Sequence, residues 1–402
     1  ASGPQNNCQW DLAWSPDGKT MVCVIIQPDG ATLTGLLATD VSNGRQNVFF
    51  HSDAIFNAIA WLPDGNGLLL LSRDYISSYA RNQIAFISYP EGKYRPVTND
   101  VNDYSGLSLT ADGHSLATVL NERHWDLFFV SASAAGSGQA RQVTSGQSVS
   151  SFSWTPTGQL VLDQKTALNL LNPDSGVKTT FPMEEHAIAG DPSACANGRY
   201  IVFGFFGHAG NKTEVIGRMD PDGGNVRPLT GGKLDANPVC SPDSRWVFYR
   251  DGASDSRLMK VSIDGGTPQQ VSDQTLNWNF DISPDGKLAA FATFRHVGEH
   301  RETLALVSLD SNQPAKMLTF QHPPSSVVRF SPDGKAVVYP TRDHDVDNLW
   351  QQPLDGSPGK QITNFTSEHI GDSFGWSPDG SKLAIIRGHV DSDVVLIRDS
   401  RQ

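Results

Sequence analysis

The sequence has little of what usually carries chemistry. Its 402 residues hold only four cysteines, and Cys8, Cys23, Cys195 and Cys240 show no CxxC or comparable spacing, which removes the usual zinc-site reading. No run approaches the roughly 18 apolar residues of a membrane span, so the chain as read is not itself membrane-embedded. No segment of convincing length has a helical period, and no secretory leader precedes the polar residues 1 to 7, which read as a domain edge from which a leader or anchor could have been removed. Basic residues are in the minority, 31 against 43 acidic ones, for a formal charge of −12, and this argues against a nucleic-acid surface. Catalytic and cofactor signatures are missing as well: there is no GxSxG elbow, phosphate-binding glycine loop, kinase HRD or DFG, or helical HExxH. No cofactor is expected, and an enzyme is not.

What the chain does have is a repeat. Trp14-Ser15-Pro16-Asp17-Gly18 returns eight times, at Leu62-Pro63-Asp64-Gly65, Thr110-Ala111-Asp112-Gly113, Thr155-Pro156-Thr157-Gly158, Cys195-Ala196-Asn197-Gly198, Ser241-Pro242-Asp243-Ser244, Ser283-Pro284-Asp285-Gly286, Ser331-Pro332-Asp333-Gly334 and Ser377-Pro378-Asp379-Gly380, at steps of 40 to 48 residues. Each copy sits between apolar runs and reads as a hairpin turn. Proline presets φ, aspartate accepts from nearby backbone N–H groups, and glycine takes the positive φ that closes the turn. The residue before the turn (Trp14, Trp61, Leu109, Trp154, Phe330, Trp376) reads as a plug between neighbouring units. Two further strands follow in most copies, the last ending in Thr or Ser as in Arg95-Pro96-Val97-Thr98 and Lys360-Gln361-Ile362-Thr363. Four short strands per period of this size predict an all-β fold, a β-propeller of four-stranded blades. The count predicts nine blades in a single domain over 1–402, at about 8–51, 52–99, 102–145, 147–183, 186–231, 234–273, 276–320, 324–365 and 370–400, with eight as the alternative if one unit lies outside the ring. The ninth has no fourth strand, so closure is open: it has three strands, or residues 1 to 7 fill in, or the natural chain continues before Ala1. The turns at Thr157, Asn197 and Ser244 depart from the pattern, which puts their geometry in question. The cysteines read as four buried thiols, with a disulfide between Cys8 and Cys23, close but not opposite in the first hairpin, as the alternative.

Function in such folds lies in the loops of one face. The loops joining second and third strands contain Arg73, Arg123 with His124, His208, Arg250, Arg295 with His296, Arg342 with His344, and Arg387 with His389. A ring of cations at a channel mouth would take an anionic or peptidic ligand, small molecule or protein, through arginine forks. The other reading is that each arginine pairs with a nearby aspartate or carbonyl. Alanine at Arg73, Arg295 and Arg342 is expected to abolish anion binding without unfolding. Asp343, Asp345 and Asp347 alternate as calcium loops do, but the glycine and distal glutamate of an EF-hand are missing. His296 and His300 have a zinc spacing only on a helix, and His51, His186, His322 and His369 fall in blade-joining loops.

The SPDG turns and the Val/Leu/Ile-Thr strand ends resemble TolB-type propeller repeats, relatives of WD repeats, across nearly the whole chain. Ile59 to Gly65, Thr98 to Gly113, Leu349 to Phe365 and Arg387 to Ile397 are similar to the C-terminal propeller of bacterial eukaryotic-like serine/threonine kinases. That resemblance implies an extracytoplasmic sensor or interaction module, tethered by a membrane helix outside this chain and preceded by further repeats; it supplies no ligand residues. A free-standing periplasmic TolB-like scaffold and the gating propeller of a prolyl oligopeptidase-type hydrolase are the alternatives.

Overall fold

The computed structural model describes residues 8–26, 34–52, 54–74, 81–131, 139–146, 148–164, 167–181, 188–206, 214–232, 234–252, 256–277, 279–294, 302–311 and 314–398, and among them there is no helix. The repeated turn works by side-chain to backbone bonding. The Ser15 hydroxyl donates to Asp17 Oδ1 (2.7 Å) and accepts from Thr20 N (2.9 Å), while Asp17 Oδ1 accepts from Lys19 N (3.1 Å). Ser241, Ser283 and Ser331 donate to Asp243, Asp285 and Asp333 in the same way. These bonds favour the ionised carboxylate; the Ser377 hydroxyl and then Ser381 hold Asp379 down at about 2. The departures in sequence keep the turn. Gly158 N bonds Thr155 O, Gly198 N bonds Cys195 O, and Ser244, at φ 58°, bonds Ser241 O in glycine's place.

Two compact units make up the chain: residues 1–123 with 390–402, and residues 124–389. Strands Ser115–Ser131 and Lys382–Arg398 contribute a half to each.

The larger unit contains five complete four-stranded antiparallel sheets, those of repeats four to eight. Their inner strands are Val149–Trp154, Ile188–Ala194, Asp235–Cys240, Phe280–Ile282 and Arg329–Phe330. A sixth sheet joins the ninth repeat to the third: His369–Trp376 pairs with the first half of Lys382–Arg398, which neighbours the second half of Ser115–Ser131, which pairs with Arg141–Gln142. Six apolar clusters fill the joints between consecutive sheets and return to the start. Leu127, Phe129, Ala384 and Ile386 of the closing sheet pack on Val149, Phe152 and Leu160. Leu168 and Phe181 meet Ala189 and Phe203; Val202 and Ile216 meet Val247 and Tyr249; Phe248 and Leu276 meet Phe280 and Phe291; Ala290 and Leu304 meet Phe330 and Tyr339; and Val338, Leu349 and Phe365 meet Val130, Ile370 and Phe374. Each sheet thus buries both faces, as a ring requires. The nine-blade count does not describe this arrangement. The ninth repeat closes on strands of the third, an outcome outside the three considered from sequence.

The smaller unit contains the four-stranded sheets of repeats one and two and, as a third layer, Asp103–Leu109 paired with the first half of Ser115–Ser131, the long strand whose second half belongs to the sixth sheet. Val22, Val24 and Leu36 pack on Phe56, Ile59 and Trp61, and Leu69, Leu71 and Ile84 pack on Tyr104, Leu116, Val395 and Ile397.

The cysteines correct the thiol reading, since Cys8–Cys23 and Cys195–Cys240 are disulfides with Cα atoms 5.6 and 5.2 Å apart. A register shift between Cys8 and Leu12 brings Cys8 within reach of Cys23, although Ile25 is its ladder partner. Cys195 and Cys240 belong to neighbouring sheets, and their separation of 45 residues is close to one repeat.

Candidate functional site

The inner strands of the larger unit contribute Ser151, Asp191, Asn237, Asp281, Arg329 and Asp372 to one set of polar side chains linked by hydrogen bonds and charge. Two of these positions have a visible cause. Asp191-Pro192 and Asn237-Pro238 each fall where the ladder register shifts, with the residue before proline at φ 49° and 53°. Proline cannot donate to the ladder, so the strand bulges and turns the Asp or Asn side chain inward. Asn237 Nδ2 donates to Asp191 Oδ2 (3.1 Å), and Arg250 Nε, from the neighbouring strand Trp246–Asp251, donates to Asn237 Oδ1 (3.2 Å). Buried Asp163 accepts from Ser151 Oγ at 3.3 Å and from Asp191 N at 3.4 Å. On the other side Arg329 Nη1 donates to Phe280 O (3.2 Å) and Asp281 Oδ2 accepts from Phe330 N (2.7 Å).

The electrostatics couple these residues. Burial pushes the Asp191 carboxyl above its ordinary range, the Ser151 hydrogen bond opposes this, the Asp372 charge adds to it, and Arg250 and Arg329 counter it. Burial likewise raises Asp281 and Asp372, each opposed by Arg329. Asp372 itself is exposed to solvent. Glu214, at the start of Glu214–Met219, is pushed up to about 8, first by burial and then by Asp191, against the pull of Arg250. The ring therefore offers carboxyls short of solvation beside two guanidinium groups, a setting for a ligand that bears both charges. A cleft of about 470 Å³ lined by Arg141, Thr144, Asp174 and Lys178 lies among outer strands and turns and shares no residue with the ring.

Of the residues singled out from sequence, Arg250 belongs to this ring. His208, Arg295 and His296 lie outside the described residues. Arg73 is part-buried in Gly67–Asp74. Arg123, His124, Arg387 and His389 lie inside two continuous 17-residue strands and not in loops, a correction to the loop placement. Arg123 pairs with Asp103 (2.9 Å). Arg387, 7% exposed, donates to Ser367 O, pairs with Glu368 (3.3 Å) and covers the Phe365 ring. The His124 and His389 rings lie 5.1 Å apart. Arg342 makes a two-pronged bond to Asp347 (2.9 and 3.1 Å), whose fully buried carboxylate also accepts from Ile370 N. Asp343 pairs with His344 across the turn, and Asp345 with His369, whose other ring nitrogen lies 3.8 Å from Asp347 Oδ2. The ring members that sequence reading missed sit in first strands. The Asp-Pro and Asn-Pro pairs interrupting two of those strands were the available signal.

No described protein family matches the chain by its sequence profile. An uncharacterized protein of Agrobacterium fabrum is 25% identical over 188 residues, 45% of this chain, and the chain spans about half the length of that relative. The solved structure of a putative TolB from Agrobacterium tumefaciens superposes with a TM-score of 0.54 at 20% identity, over 67% of this chain and 99% of that one. The fold is that of a TolB-like β-propeller. At that identity the likeness carries architecture alone, so the chemistry of this TolB-like propeller rests on its own ring. No helix among its described residues is long and apolar enough to cross a membrane.

Proposed function

We propose that the chain is a non-catalytic binding module whose axial ring captures a small molecule, or a peptide or protein segment, presenting a cationic and an anionic group together. The observation that carries this reading is the convergence of six inner strands on one polar ring in which Asp191, Asp281 and Asp372 are all held above their ordinary range beside Arg250 and Arg329. An ammonium entering the ring restores to the carboxylates the interaction that burial removes, and the guanidinium groups take a carboxylate. The two disulfides favour an oxidising compartment outside the cytoplasm. There the chain acts as a protein-interaction or sensor propeller. Its place in a membrane-tethered serine/threonine kinase rests on the sequence resemblance, and a kinase HRD and DFG upstream in the gene supports it. A leader alone indicates a free-standing scaffold, and a GxSxG domain indicates a hydrolase.

Calorimetric titration with short peptides, termini free or blocked, tests the ring. Free-terminus peptides are expected to bind, and Asp191→Asn or Arg329→Ala to weaken them at least about tenfold, a loss of about 1.4 kcal/mol. Equal affinity for blocked peptides, or for both variants, refutes the reading.

A further inference from the structure

We propose that the three-sheet unit completes a ring with a second copy of this chain. A hydrogen bond recurs at five joints between successive sheets, from an indole N–H to a backbone oxygen at two of them and from a backbone N–H to a side-chain oxygen at three. The residue just before the plug accepts, and the plug of the next sheet donates. Ala13 O accepts from the Trp61 indole (3.1 Å) and Gly375 O from the Trp154 indole (3.1 Å). Ser153 Oγ accepts from Ala194 N (2.9 Å), Ser193 Oγ from Cys240 N (3.1 Å) and Asp281 Oδ2 from Phe330 N (2.7 Å). Five joints share this register.

The smaller unit leaves both ends of the series uncovered. At its first sheet Trp14 is a plug with no sheet before it in the unit: it is 52% exposed where Trp61 is 9% exposed, and Leu12 beside it is 50% exposed. At its third sheet Ser108, the residue in register with Ala13 and Ser153, is exposed. Val395 and Ile397 pack inward toward the second sheet, so the alternate residues Val394 and Leu396 point the other way, 79% and 53% exposed. One end thus offers the donor and apolar plug of the recurring joint, and the other the acceptor and apolar wall.

Three sheets are half of the six that close in the larger unit. A second copy related by a two-fold axis supplies the other half, with Trp14 of each protomer docked at the partner's Ser108 between the partner's Val394 and the partner's Leu396. The two joints are equivalent and the assembly is closed. This inference is independent of the ligand reading, because no ring residue of the larger unit takes part.

Sedimentation velocity and light scattering on the full 402-residue chain across the micromolar range test it. A dimer is expected. Trp14→Glu alone, and Val394→Lys with Leu396→Lys alone, each act at both equivalent joints and raise its Kd roughly 1,000-fold, which is about 2 kcal/mol at each joint. Near-UV circular dichroism and the intact Cys8–Cys23 bridge report folding. If Trp14→Glu fails to fold, the outward-facing pair at 394 and 396 carries the test. A wild-type monomer at every concentration overturns the proposal and assigns the faces to further repeats of a longer polypeptide. A dimer indifferent to the 394 and 396 changes also overturns it, since like faces would then meet.

Discussion

Glu214 offers a direct test of the electrostatics of the larger unit. Its carboxyl stands against Gly204, where a Cβ would come within 2.9 Å of Oε1, and burial with the Asp191 charge moves it from 4.5 to about 8. Between these two pH values the folded chain keeps a proton that the unfolded chain has released, so stability falls as pH rises through that window. Below pH 4.5 both states hold the proton, and above about 8 both have lost it, with the full penalty in place. A displacement of this size corresponds to on the order of 4–5 kcal/mol, of which the partial exposure of Glu214 restores part, leaving about 2 kcal/mol. Glu214→Gln keeps the shape and removes the titration. The variant should match the wild type within about 1 kcal/mol near pH 5 and exceed it by about 2 kcal/mol or more above pH 8, read by calorimetric melting at both pH values. Asp191, Asp235 and Arg250 face the same carboxyl and remain in both proteins, so the difference between them reports Glu214 together with its coupling to these neighbours. A difference that does not change with pH, or a less stable Gln variant at high pH, refutes the account.

Removing the Cys195–Cys240 bridge by a double change to alanine should cost about 4 kcal/mol against about 3 for Cys8–Cys23, because the closed loops span 45 and 15 residues; denaturant titration with and without reductant checks the order. Gly388→Ala places a Cβ against the backbone oxygen of His124 in the closing sheet, and a loss of about 3 kcal/mol in thermal melting is expected, with Gly375→Ala, where nothing lies within 4 Å, as the tolerated control. Arg342→Ala leaves the buried Asp347 carboxylate without two of its hydrogen bonds and should cost about 2 kcal/mol, part of it recovered by adding Asp347→Asn. The triple alanine change at Arg73, Arg295 and Arg342 therefore reads as a stability change as well as a binding test.

The strand order within a repeat was legible in the residues. The SPDG turns, the apolar runs flanking them and the plug aromatics are local, and even the divergent turns at Thr157, Asn197 and Ser244 fold alike, because one hydroxyl or carbonyl acceptor and one positive φ suffice. The candidate site was legible in one member, Arg250. The arginines of the other loops announce themselves by type, yet Asp103, Asp347 and Glu368 engage Arg123, Arg342 and Arg387, and those partners come from pairing that local spacing does not reveal. Arg123-His124-Trp125 breaks the apolar pattern and reads as a loop, whereas the chain runs straight through it as strand.

From its residues alone, the chain is specified as an all-β repeat protein with a hairpin turn at each copy, since propensity, turn chemistry and period all act within a few residues. Tertiary structure alone decides that Lys382–Arg398 joins the third repeat's strand and so closes the larger unit with a sixth sheet, and that Ser151, Asp191, Asn237, Asp281, Arg329 and Asp372 are brought into one linked polar set. Five of the joints between sheets share one register, and each repeat offers the same kind of face to its neighbour. Their equivalence leaves nothing in the repeat itself to say which copy closes on which; the packing of the whole chain settles it.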